Sequence, residues 1–478
     1  MDAEELYQAS RFAEFEQALK ILLADPALEL TVRTQVAARL GHFYRRCGRW
    51  DMAEVLYRAL EPTIDDRAGC RRILAGILRR RGRPEESAAL LEQLLSDSTG
   101  TADAASIAYQ AALARLAAGD PSAAHALLVG LRRLKPDHAP AHWLVGLLES
   151  QGRRPGCRII QALAAPAEFA AQADAIAWED STDWAACWFR WASHPAYMAP
   201  ETVENCSFVV THPDGRPAVL VRLWATENGI ESGDTAIHLL QAPGVGCSDK
   251  VLAAAVGHIL DLCKAFGGRP LIADRMAPEL GQLGRACLKQ GLNAELQVGL
   301  TIDLARPVAE LWQGLRPSNH ALIHRGETSL EMRYLNSGQP DWGLLEDLRQ
   351  CHYRFVPAPG SEALFFTLPV LRAKIEAGHA ELSVARRDGQ AVAAVLIVDE
   401  GADSHYAVAR YPRDLADNSS RFTLWDAILR AKARGQARFH LGEYAFDAAH
   451  QGKLRTVADF KAGFTRTRIC KMAWRVGG

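Results

Sequence analysis

The sequence predicts an all-helical N-terminal array followed by two mixed α/β modules, and three observations predict it. Residues 1 to about 155 are rich in Ala, Leu and Arg and show no alternating pattern. From Ser207 onward, short β-branched runs alternate with helical stretches and tight-turn dipeptides. Near the end, a helix from Leu424 to Gly435 and a strand from Arg438 to Leu441 run into Gly442-Glu443, where a sheet strand gives way to its loop. In open α/β sheets that is where ligands bind.

The 478 residues suffice for two or three domains. The formal net charge of -1 gives no general attraction to nucleic acid or anionic membrane, so DNA is not an expected partner. Met1-Asp2-Ala3-Glu4-Glu5 is acidic and lacks the apolar core of a signal peptide. No apolar run approaches the ~20 residues that span a bilayer. The ten cysteines form no C-x-x-C pair, and Cys187, Cys263 and Cys287 fall in apolar helical patterns. Reduced, buried thiols in a cytoplasmic protein are expected, without structural zinc.

In the first third, Leu40-Gly41, Tyr44, Gly48-Arg49-Trp50, Ala53 and Tyr57 alternate small and large residues. Gly82 follows Gly48 by 34 residues, and Gly119-Asp120-Pro121 and Gly152 continue the series. That period and pattern resemble the tetratricopeptide repeat. Small residues let paired helices approach, while aromatics and leucines fill the space between pairs. Such an array implies a protein partner; a brace for the remaining chain is the other reading. The arginines around Arg45, Arg79 and Arg83 would suit an acidic partner or simply a solvated face.

Repeat character fades between Gly152 and Ala177, which places a boundary near residue 165. Aromatics cluster from Trp184 to Tyr197. Strands are expected at Ser207–Val210 and Ala218–Trp224, joined through His212-Pro213-Asp214-Gly215, then at Ala236–Leu240. A turn with Gly244 and Gly246 should open a helix over Asp249–Phe266, where free backbone N–H groups favour a phosphate. Leu271–Ala273, a helix around Leu283, and Gln297–Leu304 close this first module.

The second module begins with Trp312, Arg316, Asn319, His320 and His324 and enters a strand at Leu330–Tyr334. Helices follow at Trp342–Tyr353 and Pro369–Ala377. The strands Ala380–Arg386 and Val392–Val398 flank the turn Arg387-Asp388-Gly389-Gln390, and Ser404–Arg410 forms the next strand. The polar loop Arg413–Ser420 opens the helix Arg421–Gly435. The chain ends in Leu441-Gly442-Glu443, a spacer, and Phe460-Lys461-Ala462-Gly463-Phe464.

This ending resembles the FemAB-like proteins, a branch of the GNAT acetyltransferase superfold, and the β-β-β-loop-α-β-α-β order upstream is similar to a GNAT module. The resemblance implies a helical array over 1–165, a first GNAT-like module over 166–303 serving scaffold or acceptor binding, and a catalytic one over 304–478. It implies acyl transfer from a carrier thioester, with acyl-acyl-carrier-protein or acyl-CoA as co-substrate and no tightly bound cofactor. Repeats ahead of tandem modules look like the branch that acylates envelope polysaccharides or glycolipids, including the Vi-antigen type. The protein would then work in the cytoplasm or peripherally at the inner membrane. Aminoacyl-tRNA-dependent peptide transfer and a non-catalytic adaptor role are the alternatives.

Acyl transfer needs a base for the acceptor, polarisation of the carbonyl and stabilisation of the leaving thiolate. Glu443 at the strand end and His352 at a helix end are the candidate bases, the latter for its near-neutral titration. Lys461 matches the family lysine near the reacting carbonyl or an acceptor phosphate. His405, Tyr406 and Phe460 are placed as substrate contacts. Arg354 and Arg410 offer planar forks for phosphate or a sugar carboxylate. The family's glycine-rich phosphate loop is missing. Asn418, Ser419, Ser420 and Arg421 stand in its place, either as a helix cap or as a phosphate site. No metal-ligand spacing occurs.

Overall fold

The computed structural model describes residues 6, 12–46, 49–98, 103–177, 204–226, 229–231, 236–242, 247–274, 280–355, 372, 375–411, 419–444 and 453–477. Two compact units emerge, one mostly 18–181 with 192–295, the other mostly 296–472. No described helix is long and apolar enough to cross a membrane.

The first unit starts with the helices α1 (Phe12–Ala24), α2 (Leu30–Arg46), α3 (Trp50–Leu60), α4 (Arg67–Arg80), α5 (Pro84–Asp97), α6 (Ala104–Ala117), α7 (Pro121–Leu134) and α8 (Ala139–Ser150). Each of α2 to α7 packs on the next. Alanines explain how close they come: Ala75, Ala88, Ala111 and Ala114 are wholly buried against Leu91 and Leu94. At Gly41 an added Cβ would stand 2.9 Å from the Tyr57 ring, so the small–large pairing read from the sequence is a direct contact. Gly82 and Gly119 end their helices at φ 74° and 77°, a conformation that costs glycine little.

Residues 153–161, where the sequence reading saw only a fading repeat, form β1 (Arg153–Arg154) and β2 (Cys157–Gln161). β2 is buried nearly throughout, so it lacks the alternation that marks a half-exposed strand. After α9 (Pro166–Ala177) come β3 (Glu204–Asn205), β4 (Phe208–Thr211), β5 (Pro217–Val221), β6 (Trp224–Thr226), β7 (Gly229–Glu231) and β8 (Leu239–Gln241). The expected single strand from Ala218 to Trp224 is broken at Arg222-Leu223, and its two halves join different sheets, β1-β2-β4-β5-β8 and β3-β6-β7. Helix α10 (Asp249–Phe266), capped by Ser248, covers the larger sheet; β9 (Leu271–Asp274) and α11 (Gln282–Lys289) follow. Gly244 and Gly246, read as a phosphate turn, lie outside the described residues. Cys287 is buried, as expected, and Cys263 partly so.

Within this unit the helical array packs on the sheet module. Arg79 of α4 donates to Glu204 of β3 at 2.6 Å, with both side chains under one-fifth exposed. Trp143 of α8 meets Phe266 edge-on at 5.6 Å and His258 at 5.8 Å, both on α10.

The second unit runs through β10 (Asn293–Asp303), α12 (Val308–Gln313), α13 (Pro317–Ser329), β11 (Glu331–Leu335), α14 (Gly343–Phe355), β12 (Ala380–Arg387), β13 (Gln390–Glu400), β14 (Asp403–Arg410), α15 (Ser419–Ala433), β15 (Arg438–Glu443), α16 (Lys453–Ala462) and β16 (Arg468–Arg475). Its sheet order is β11-β12-β13-β14-β15-β10-β16. The β12–β13 hairpin closes on Asp388-Gly389, both at positive φ (51° and 76°), the two-residue turn that matches strand twist. β14 and β15 pair in parallel, because α15 carries the chain between them.

Alternation along β13 splits the core. Leu396 and Val398 face α14 with Leu344, Leu348 and Cys351. Val395 and Ile397 face α15 with Leu424, Trp425, Phe439 and Leu441. The expected helix Pro369–Ala377 falls largely outside the described residues.

Charge fastens α15 to the sheet. Glu381, 3% exposed, receives Arg430 (2.6 Å) and Arg434 (2.8 Å), and Arg434 also binds Asp399, which accepts from the Ser404 hydroxyl. Burial alone would raise the Glu381 carboxyl; Arg430, Arg434 and the Asn336 amide outweigh it and hold the pKa below the ordinary 4.5. Glu381→Ala, which leaves two guanidinium groups without their buried partner, should cost about 3–5 kcal/mol in urea denaturation. Because the folded pKa is depressed, this carboxylate's contribution is full above the unfolded value and disappears as pH falls through the folded one. Wild-type Tm should therefore drop more steeply below about pH 4.5 than that of Glu381→Gln.

Candidate active site

Parallel pairing between β14 and β15 lasts three rungs: Asp403 with Arg438, Ser404 with Phe439, His405 with His440. Beyond them β14 continues to Arg410, whereas β15 shifts register against β10 between Leu300 and Thr301 and takes up new partners, Leu300 with Gly442 and Gly299 with Glu443. The two strands thus part after His405 and His440, each keeping its outer neighbour.

Several predicted residues collect at this parting on the α15 side. The Lys461 ammonium lies 5.6 Å from the centre of the Tyr406 ring. It also sits beside Gly442, where an added Cβ would be 3.1 Å from Nζ; the φ of +88° is what favours glycine at that position. Tyr406 and Tyr411 share a hydrogen bond between their hydroxyls. Burial pushes both phenols up, Tyr411 to about 12, so both stay protonated near neutrality. Phe460 packs toward Tyr411 and Phe464, and the Arg421 guanidinium stands 5.5 Å over its ring. Arg410 adds its charge beside the two phenols, while donating to the Ala409 carbonyl at 2.8 Å.

One buried side chain joins three segments here. Asn319, 2% exposed, accepts from Arg421 Nε at 2.9 Å and donates through Nδ2 to the Gly463 carbonyl at 2.9 Å. A Cβ on Gly463 would lie 2.8 Å from that Nδ2, which explains the glycine in Phe-Lys-x-Gly-Phe. Burial, then the nearby Arg316, lowers the Arg421 pKa from its ordinary value. Two guanidinium charges therefore stand close together near the start of α15.

Ser419 and Ser420 lie inside the first turn of α15, with Ser419 buried, so neither is the N-cap that the sequence allowed; Asn418 lies outside the described residues. The backbone of Glu443 closes β15 within one residue of Gly442, and His352 and Arg354 occupy the last turn of α14, but their side chains lie outside the described residues. His405 does not join Lys461. By alternation it faces away from Tyr406, opposite Val398, and stacks on His440 with ring centres 4.7 Å apart.

Sequence reasoning gave no site role to His440, Asp403, Tyr411, Arg316 or Asn319. His440 Nε2 is 3.2 Å from Asp403 Oδ2, and Arg438 grips the same carboxylate at 2.8 and 2.7 Å. Burial would raise the Asp403 carboxyl, yet Arg438 and His440 hold it below the usual range. The i, i+2 spacing of Asp403-x-His405 and Arg438-x-His440 was a usable signal, since paired strands place all four on one face. Among the described residues no cluster could hold a metal ion.

Residues 356–452 match the family described as an acetyltransferase (GNAT) domain, and residues 37–67 match the tetratricopeptide repeat. No curated protein matches the chain. Among solved structures it is similar to the C-terminal domain (DUF2156) of a putative lysylphosphatidylglycerol synthetase from Agrobacterium fabrum, at 15% identity over 65% of this chain and 92% of that one, TM-score 0.41. It is also similar to FemX (9% identity, 64% and 95% covered, TM-score 0.42) and to a tandem GNAT protein from the clavulanic acid biosynthesis pathway (12%, 67% and 99%, 0.38).

Asn319→Ala should cost about 1–3 kcal/mol, the range for stranding buried partners. Gly463→Ala should cost a similar amount by displacing the same amide. Because both break one contact, the double variant should lose less than the sum in urea denaturation.

Proposed function

From a chain that carries a GNAT transferase domain behind tetratricopeptide-type helices, we propose acyl transfer from a carrier thioester to a sugar of a cell-surface polysaccharide or its glycolipid terminus. The observation that carries this reading is the parting of β14 from β15 after His405 and His440, with the Lys461 ammonium at its edge. A pantetheine arm can lie between two separated strands and bond to their backbone groups as an extra strand would. Acyl-acyl-carrier-protein and acyl-CoA both present that arm and its phosphate.

Each neighbouring residue then has a task. Arg421, with Arg316 near it, and Arg410 bind the carrier's phosphate near Ser419 and Ser420, and Asn418 is carried forward from the sequence reading. Phe460 and Tyr406 line the arm. Lys461 stabilises negative charge that develops as the carbonyl is attacked and the thiolate leaves. Glu443, His352 and Arg354 fall to the acceptor side, which is the sequence reading carried forward. Residues 304–478 are the catalytic module in this reading, 166–303 support it, and 1–165 add the helical array, whose repeat class suggests a protein partner. A glycolipid acceptor would bring the protein to the inner membrane from the cytoplasm.

Wild type and Lys461→Ala are to be incubated with acyl-CoA, acyl-acyl-carrier-protein and aminoacyl-tRNA in parallel. Loss of an acyl thioester is expected with wild type, reduced roughly 10²-fold in the variant. Consumption of aminoacyl-tRNA alone would replace this reading by peptide transfer, and inertness toward all three would leave an adaptor.

A further inference from the structure

The sheet has two faces at the parting of β14 and β15, and the residues considered so far on the α15 face are Tyr406, Tyr411, Arg421, Phe460 and Lys461. The opposite face carries a different set. At the last paired rung His405 and His440 stack with their planes 22° apart, which restrains both rings. One rung earlier stands Asp403, held by both nitrogens of the Arg438 fork. Because a carboxylate only accepts, His440 Nε2–H donates to Asp403, and the basic lone pair of the ring is then on Nδ1. The His440 and Asp403 side chains are 12% and 18% exposed, so the pair is largely withdrawn from water without being sealed.

We propose that His440, oriented by Asp403, is the base that takes the proton from the acceptor, and that the acceptor approaches on the α14 face while the thioester enters from the α15 face. This rests on reading the parting as the thioester's seat. An oriented imidazole with a carboxylate behind it is suited to a hydroxyl, which, unlike an amine, needs its proton removed as it attacks.

The step balances as follows. The acceptor oxygen forms a bond to the thioester carbon while its proton passes to His440 Nδ1, and the C=O electron pair moves onto oxygen. The tetrahedral adduct collapses, the C–S bond breaks, and the imidazolium returns the proton to the thiolate. Thioester and alcohol thus become ester and thiol. Asp403 is a positioning residue: it fixes the tautomer and the ring plane, and Arg438 holds it ionised.

Water can stand in for the hydroxyl, so the test needs no identified acceptor. Release of thiol from acyl-CoA and acyl-acyl-carrier-protein is followed with water alone and with hydroxylamine, a nucleophile strong enough to attack without a base. Uncatalysed rates are subtracted for wild type, His440→Gln, His440→Asn and Asp403→Asn. Expected is a loss of enzymic hydrolysis of roughly 10²–10⁴-fold in the His440 variants, with hydroxylaminolysis within about threefold of wild type. Asp403→Asn should show the same split with a smaller loss. If the two rates fall together the pair is structural, and if neither falls the base lies elsewhere; both results overturn the proposal and leave the thioester seat standing. A wild type that opens neither thioester under either condition removes the seat and the base with it.

Discussion

Three rungs of parallel pairing, and then none, form the constraint on which the second unit depends. A sheet interior normally satisfies every backbone N–H and C=O. Here β15 shifts register against β10 near Leu441, Gly442 takes a φ of +88°, and the strand swings away from β14. Such a gap persists only if the surrounding elements over-determine it. On one side the hairpin stack β11–β14 is closed by the Asp388-Gly389 turn. On another, α15 is tied to the sheet through Glu381 and Asp399. Asn319 joins the start of α13, the first turn of α15 and the turn after α16.

In the proposed reaction the same geometry separates chemical labour. The α15 face offers cations and protonated phenols, groups that receive negative charge. The α14 face offers a carboxylate-backed imidazole, a group that receives a proton. A reaction in which one partner gains electrons at a carbonyl and the other gives up a proton needs both kinds of group within reach of one carbon. Alternation along β14 puts His405 and Tyr406 on opposite faces at the very residue where pairing ends.

Much of the fold could be read from sequence because its signals are local. Asp388-Gly389 fixes a turn by backbone preference, and the apolar faces of Asp249–Phe266 and Trp342–Tyr353 declare helices by their period. Phe460, Lys461 and Gly463 fall together because they lie within four consecutive residues of chain. What was not legible depends on contacts distant in sequence. β2 is buried nearly throughout, so no alternation revealed it. The Asp403–His440 pair exists only through the register of two strands 35 residues apart, and Asn319 meets Gly463 across 144. Ser419 and Ser420 resembled a cap, but a helix start is uncertain by a residue or two until its geometry is known.

Backbone hydrogen exchange tests the seat most directly. With a stable thioether analogue of an acyl-pantetheine arm, the Tyr406–Arg410 amides that do not bond to β13 should exchange freely without ligand and become protected on its addition, while the α4–α8 amides stay unchanged. Slow exchange of those amides before ligand is added, unaltered afterwards, would mean that the gap is already filled and would contradict the account.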